Sequence, residues 1–200
     1  MRVGVLASGR GSNLQALVDA CEKGRIPARI VVVISNNSRS GALARAARAG
    51  IPGYHLSAHT HPEPGELDHA VCQTLEKHHC DLVALAGYMK KLGPATLKTY
   101  QGRIVNIHPA LLPRHGGHGM YGMHVHQAVI ASGDEYSGAT VHLVTAEYDQ
   151  GPVLAQCRVP VRPGDTPETL AARVLAVEHE LYVETLGRIA RGELPLLLPT

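Results

Sequence analysis

Through its first half, the chain alternates short apolar runs with amphipathic stretches. Arg2–Ala7, apolar after its first residue, predicts a strand that starts almost at the beginning of the chain. Asn13–Lys23 has helical spacing and ends at Gly24. Ile30–Ser35 predicts a second strand, apolar throughout, as expected where both faces of a sheet are covered. Gly41–Ala49 predicts a helix closed by Gly50, and Tyr54–Leu56 a short strand before a polar loop from Ser57 to Pro64. Gly65–His79 then predicts a third helix and Asp81–Ala86 a further strand. This β-α-β-α rhythm calls for an α/β fold, a parallel sheet with helices on both sides.

The second half is more varied. Pro94–Tyr100 predicts a short helix with Pro at its first position, followed by a strand over Arg103–Ile107. A loop rich in Gly, Pro and His runs from Asn106 to Gly122, before a helix reaching about Ser132. Thr140–Val144 and Val153–Val161 predict two more strands. In the second, Val153, Ala155, Cys157, Val159 and Val161 share one face, with Gln156 and Arg158 on the other. The last helix begins near Asp165–Glu168, whose spacing is that of a capping box with Pro167 in the first turn. It runs to about Ala190 and stops at Gly192. No repeat or linker interrupts the pattern, so one domain over 1–200 is expected.

Composition narrows the function classes. A net charge of +2, with basic residues scattered, gives no nucleic-acid footprint. No stretch approaches the ~18 consecutive apolar residues of a membrane span, and the N-terminal run is shorter than a signal peptide's apolar region. A cytoplasmic protein is expected. Cys21, Cys72, Cys80 and Cys157 form no C-x-x-C pair and are expected as free, buried thiols.

Ser8-Gly9-Arg10-Gly11-Ser12-Asn13 lies between the first strand and the first helix. Glycines there let backbone N–H groups approach an anion, and the helix N-terminus favours negative charge. A tight turn with Asn13 capping the helix is the plainer alternative. The third glycine of a dinucleotide fingerprint falls on Leu14, and the second strand ends in Ser35-Asn36-Asn37 without an acidic residue for a ribose. There is no G-K-[ST] triphosphate loop. The pattern fits a phosphate monoester held by Gly11, Ser12 and Asn13, with Arg10 in reach.

Asn106-Ile107-His108-Pro109 closes a predicted strand. The i, i+2 spacing puts Asn106 and His108 on one face, and Pro109 ends the strand at its carboxyl edge, where open parallel sheets bind ligands. An amide donor beside an imidazole suits acyl transfer. Asn106 can donate to an oxygen gaining charge, and His108 can stabilise that charge or move a proton. Asp149-Gln150-Gly151-Pro152 forms a turn between two strands, and a carboxylate near His108 would favour imidazolium and orient it. His124 and His126 diverge on a helix with no acidic cluster beside them, so no metal is expected. His126 is expected behind His108, with His115 and His118 as solvent-exposed loop residues.

Taken together, VLASGRGSNLQAL, LAGYMKKL, NIHPALLP, GATVHLVTAEYDQGPVLAQ and GDTPETLAARVLAVEHELY resemble, in order and spacing, the phosphoribosylglycinamide formyltransferases. The resemblance covers nearly the whole chain. It implies a three-layer α/β/α sandwich on a mostly parallel sheet, the Rossmann-like formyltransferase fold. It also implies formyl transfer from 10-formyltetrahydrofolate, as co-substrate, to the amine of glycinamide ribonucleotide. On matching positions it implies Asn106, His108 and Asp149 as the catalytic set, with Gly11, Ser12 and Asn13 on the substrate phosphate and Glu178 near the ribose. A folate pocket is implied along Met89, Lys90, Lys91 and Leu92, with Asn106, Val144 and Asp149. Without the resemblance, Glu178 would read as a solvent-facing helix residue.

Two departures stand out. A family arginine that helps bind the folate tail has no counterpart in His61–Pro64, leaving Lys90 and Lys91 to supply positive charge. Gly119-Met120-Tyr121-Gly122 also lengthens the loop after Pro113. Expected partners are the two small molecules, with no nucleic acid or membrane, in a monomer or homodimer. Neighbouring alternatives are a formyl-folate hydrolase, a transfer-RNA formyltransferase and a non-catalytic phosphometabolite-binding module. With only a short segment after Gly192, no nucleic-acid-binding extension is expected, and with the first strand starting at Arg2, no preceding regulatory domain is expected.

Overall fold

The computed structural model describes residues 1–196; the last four positions of the expected 1–200 domain lie outside them. In chain order the elements are β1 (Arg2–Leu6), α1 (Ser12–Glu22), β2 (Arg29–Ser35), α2 (Gly41–Arg48), β3 (Gly53–His55), α3 (Glu66–Lys77) and β4 (Leu82–Leu85). The remainder are α4 (Pro94–Thr99), β5 (Ile104–His108), α5 (Met123–Ser132), β6 (Tyr136–Leu143), β7 (Val153–Pro160) and α6 (Pro167–Ala190).

The strands form one sheet in the order β3-β2-β1-β4-β5-β6-β7. The first five run parallel, whereas β5–β6 and β6–β7 pair antiparallel. Val5, Leu14, Val33, Ile107, Val141, Tyr182 and Leu186 build the core on the α1 and α6 side. On the α3 and α4 side it is Leu6, Val32, Ile34, Leu75, Val83 and Ile104. The result is the three-layer α/β/α sandwich. The connections leave β1 toward β2 on one side and return to β4 on the other. A crevice therefore opens beyond the carboxyl ends of β1 and β4, the usual ligand position in an open α/β sheet.

Four expectations change. β6 begins at Tyr136 rather than Thr140. Ser137 and Gly138 break the apolar pattern yet pair with Val159 and Arg158, and a side chain on Gly138 would overlap the Cys157 carbonyl and Leu111. The proposed inward face of β7 is buried only at Val159, against Val129, Leu170 and Val174, because β7 is the outer strand. Cys157 is accordingly exposed and Cys21 only half-buried, while Cys72 and Cys80 are buried. The cap of α6 is Thr166 with Thr169, not Asp165 with Glu168. Asp165 is occupied by the Arg173 guanidinium at 2.6 and 2.9 Å and accepts from Arg162 N at 2.7 Å.

Candidate active site

The loops beyond the strand ends line a cavity of about 610 Å³. At one end stands the turn after β1. Gly11 is the N-cap of α1 at φ 74°, and no side chain closes that cap, so Asn13 is not the capping residue. A Cβ on Gly11 would lie 2.8 Å from Ala42 Cα. Glycine thus permits both the left-handed turn and the close approach of α2. Arg45 Nε donates to the Arg10 carbonyl at 2.9 Å and holds the turn from outside. Ser8 ties this loop to its neighbours by donating to Asn36 Oδ1 at 2.5 Å and accepting from Met89 N at 2.7 Å.

Asn13 and Glu178 are buried and both line the cavity. Burial pushes the Glu178 carboxyl up to about 8, against the opposing hydrogen bond from Asn13. Asn13 Oδ1 has no partner. The solvent-facing alternative for Glu178 is therefore wrong. A buried carboxyl beside a free amide oxygen can exchange hydrogen bonds with neutral hydroxyls, because between them they offer both donors and acceptors.

At the other end β5 delivers Asn106 and His108. The antiparallel register sets Asn106 opposite His142 and His108 opposite Thr140. His142 Nδ1 donates to the Leu143 carbonyl at 2.8 Å, leaving Nε2 to accept from Asn106 Nδ2 at 3.1 Å. That contact fixes the amide, and one N–H of Asn106 stays available. His108 is 3% exposed. Its Nε2 donates to the His115 carbonyl at 2.8 Å, and its Nδ1 lies 3.7 Å from Asp149 Oδ2. Burial lowers the His108 pKa, opposed by the Asp149 charge and the His115 carbonyl. His126, also buried, lies near enough for His108 to lower its pKa further, and its Nδ1 has no partner.

Asp149 enters at φ 55° on the β6–β7 turn. A side chain on Gly151 would overlap the Leu143 carbonyl, so the D-x-G-P turn closes only with glycine there. Asp149 Oδ2 accepts from Gly117 N at 2.9 Å, and Oδ1 lies 3.5 Å from His142 Nε2. Burial raises the carboxyl, but it stays below its ordinary range because it faces the His142 and His108 rings and accepts from the Gly117 N–H.

Asn106, His108 and Asp149 thus meet around one cavity. Asn13, Glu178, Met89, Lys90, Lys91, Leu92 and Val144 line the same space; Gly11, the N-cap, and Ser12, the first residue of α1, do not. Lys91 Nζ stands 5.4 Å from the Tyr148 ring centroid. The His61–Pro64 stretch contributes nothing to the lining, whereas the inserted Gly119–Gly122 segment does. His118 is exposed as expected, but His115 is packed on Asp134 at 2.6 Å. His142 and Asp134 were not singled out from the sequence. Thr140 and His142 alternate as polar positions on an apolar strand, which is a signal for His142; nothing local marks Asp134. Among the described residues no group of three or more His, Cys, Asp or Glu side chains is arranged to hold a metal.

An amide donor, an imidazole and a carboxylate at the carboxyl edge of an open α/β sheet define an acyl-transfer enzyme. Residues 1–186 match the formyl transferase family model. The chain is 39% identical over 196 residues to the phosphoribosylglycinamide formyltransferase of Escherichia coli, covering 98% of this chain and 90% of the relative. It is 42% identical over 189 residues to the chloroplastic enzyme of Arabidopsis thaliana, covering 94% of this chain but only 65% of that protein. The crystal structure of glycinamide ribonucleotide transformylase 1 from Symbiobacterium toebii superposes with a TM-score of 0.90 at 42% identity, over 96% of this chain and 88% of the other. The chain belongs to the formyl transferase family, among its phosphoribosylglycinamide formyltransferases.

Proposed function

We propose that this site transfers the formyl group of 10-formyltetrahydrofolate to the primary amine of glycinamide ribonucleotide, with residues 1–200 acting as one domain. The observation that carries the reading is the shared cavity: Arg10 and Asn13 of the turn after β1 line the same space as Asn106, His108 and Asp149. The phosphate sits on the amides of Gly11, Ser12 and Asn13, and the ribose hydroxyls meet Glu178. The folate lies along Met89–Leu92 and Val144–Asp149, with Lys90 and Lys91 near its acidic tail.

The amine nitrogen attacks the formyl carbon, forming a C–N bond as the carbonyl oxygen becomes an oxyanion. The free Asn106 N–H donates to that oxygen. Burial favours neutral His108 before attack, so the protonated ring that stabilises the oxyanion forms during the step. Nδ1, across from Asp149, then accepts the proton shed by the attacking amine. The imidazolium so formed is stabilised by Asp149 and adds its charge beside the oxyanion. Collapse breaks the bond to the folate N10, and the proton passes to that nitrogen, directly or through a water. The reaction needs no metal, nucleic acid or membrane. A monomer or homodimer acting in the cytoplasm accommodates it, and no helix of the described residues is long and apolar enough to cross a membrane.

The test is an assay of formyl transfer from 10-formyltetrahydrofolate to glycinamide ribonucleotide, with water-only and transfer-RNA controls. Transfer to the ribonucleotide alone is expected. Asn106→Ala, His108→Ala and Asp149→Asn should each lower turnover on the order of 10²-fold or more. Near-normal turnover in all three would sink the assignment.

A further inference from the structure

The segment His115-Gly116-Gly117 touches both members of the His108–Asp149 pair. The His115 carbonyl accepts from His108 Nε2 at 2.8 Å, and two residues later Gly117 N donates to Asp149 Oδ2 at 2.9 Å. One short stretch of backbone therefore sets the position of the imidazole, its tautomer and the carboxylate facing it. Gly116 allows the close approach: a Cβ there would lie 2.5 Å from Leu112 Cδ2 and 3.2 Å from Asp149 Cβ.

This stretch lies in a long loop with no regular structure, and His115 itself adopts φ 54°, which disfavours a side-chain-bearing residue. Something must hold it. The loop's start is pinned by Thr140 Oγ1, which accepts from Leu112 N at 3.1 Å, and by Gln156, which donates to Leu112 O at 2.9 Å. At His115 the restraint is the ring: Nε2 meets Asp134 Oδ2 at 2.6 Å, with both side chains largely buried. Asp134 sits just after Gly133, the cap of α5, and before β6, and its other oxygen pairs with Arg114 at 2.5 Å. The carboxylate is thus carried by the junction of two regular elements rather than by the loop it restrains.

We propose that His115 and Asp134 form a positioning pair whose hydrogen bond fixes the His115–Gly117 backbone and so holds His108 and Asp149 in reacting geometry. Neither His115 nor Asp134 is among the residues that line the cavity. The inference rests on the formyl-transfer reading of the site, and concerns turnover rather than binding. Misplacing a catalytic group by a fraction of an ångström lowers the rate of the chemical step while leaving remote binding contacts intact.

Asp134→Ala and His115→Phe should therefore each lower kcat on the order of 10-fold, with KM for both substrates within about twofold. The double variant should be no worse than either single one, because both remove the same contact. His115→Gln, which keeps an amide donor toward Asp134, should recover most of the rate. Nitrogen-15 NMR of the histidine rings supplies a readout independent of activity. The wild-type His108 signal should be that of the Nε2–H tautomer, and the single variants should move it toward an average of tautomers. If Asp134→Ala does not fold, Asp134→Asn beside His115→Phe carries the test. An unchanged kcat in folded variants, a loss confined to KM, or an unmoved His108 tautomer would overturn the proposal. A wild-type protein without formyl transfer would instead refute the parent reading, and the NMR comparison would still decide the positioning claim.

Discussion

In the proposed transfer His108 is neutral when the amine attacks and charged while the oxyanion exists. Its burial and its distance from Asp149 fit that cycle, since burial lowers the resting pKa and the carboxylate favours the charged form. The acid limb of kcat/KM should accordingly fall below the ordinary imidazole value of ~6.5. In Asp149→Asn the favouring charge is gone, so residual activity should show its acid limb at still lower pH; a shift upward would contradict the assigned roles. His142→Leu should lower kcat on the order of 10-fold by freeing the Asn106 amide to rotate, with little change in KM. Asn106, His108 and Asp149 could be read from the chain because each lies in a local pattern, a strand terminus or a D-x-G-P turn. His142 is marked locally as a polar position on an apolar strand, but its partner Asn106 is set by the register across 36 positions, which the local pattern does not encode. His115 was misassigned for the same reason, as its partner lies 19 residues away across a helix.

The elements act as brackets that bring these residues to one edge. The parallel half was legible because β1, β2 and β4 are nearly continuous apolar runs and glycines punctuate the helices, so β1 to β5 fall close to their expected limits. The antiparallel half was less so. β6 hides its start behind Ser137 and Gly138, where tight packing excludes a side chain, and β7 alternates like a half-buried strand although it is the sheet's edge. The turn before α1 is the element on which substrate affinity should depend. Gly11→Ala forces a Cβ against Ala42 and strains φ 74°, a cost of about 1–3 kcal/mol. It should also raise KM for glycinamide ribonucleotide more than KM for the folate if, as proposed, only the ribonucleotide uses those amides. Equal effects on the two KM values would remove the phosphate from this turn.

At the scale of the molecule, the same burial that shapes the cavity couples stability to pH in two opposite ways. His108 and His126 are buried with lowered pKa, so the unfolded chain binds their protons more readily and stability falls as pH drops through and below the ordinary histidine range. Glu178 has the reverse sign. Its carboxyl is raised from 4.5 to about 8 in the native state, so above its ordinary pKa the unfolded chain releases a proton that the folded chain keeps. Its contribution is therefore complete below about pH 4.5 and is lost progressively as pH rises to about 8, beyond which it is flat. Glu178→Gln keeps the size and polarity of the side chain but cannot ionise. Its melting temperature relative to wild type should rise between pH 5 and pH 8.5, by several degrees, with the gain on the alkaline side. A difference that is the same at both pH values would mean that Glu178 is not the group holding the buried proton. The variant should also raise KM for the ribonucleotide, since the proposed ribose contact and the buried proton belong to the same carboxyl.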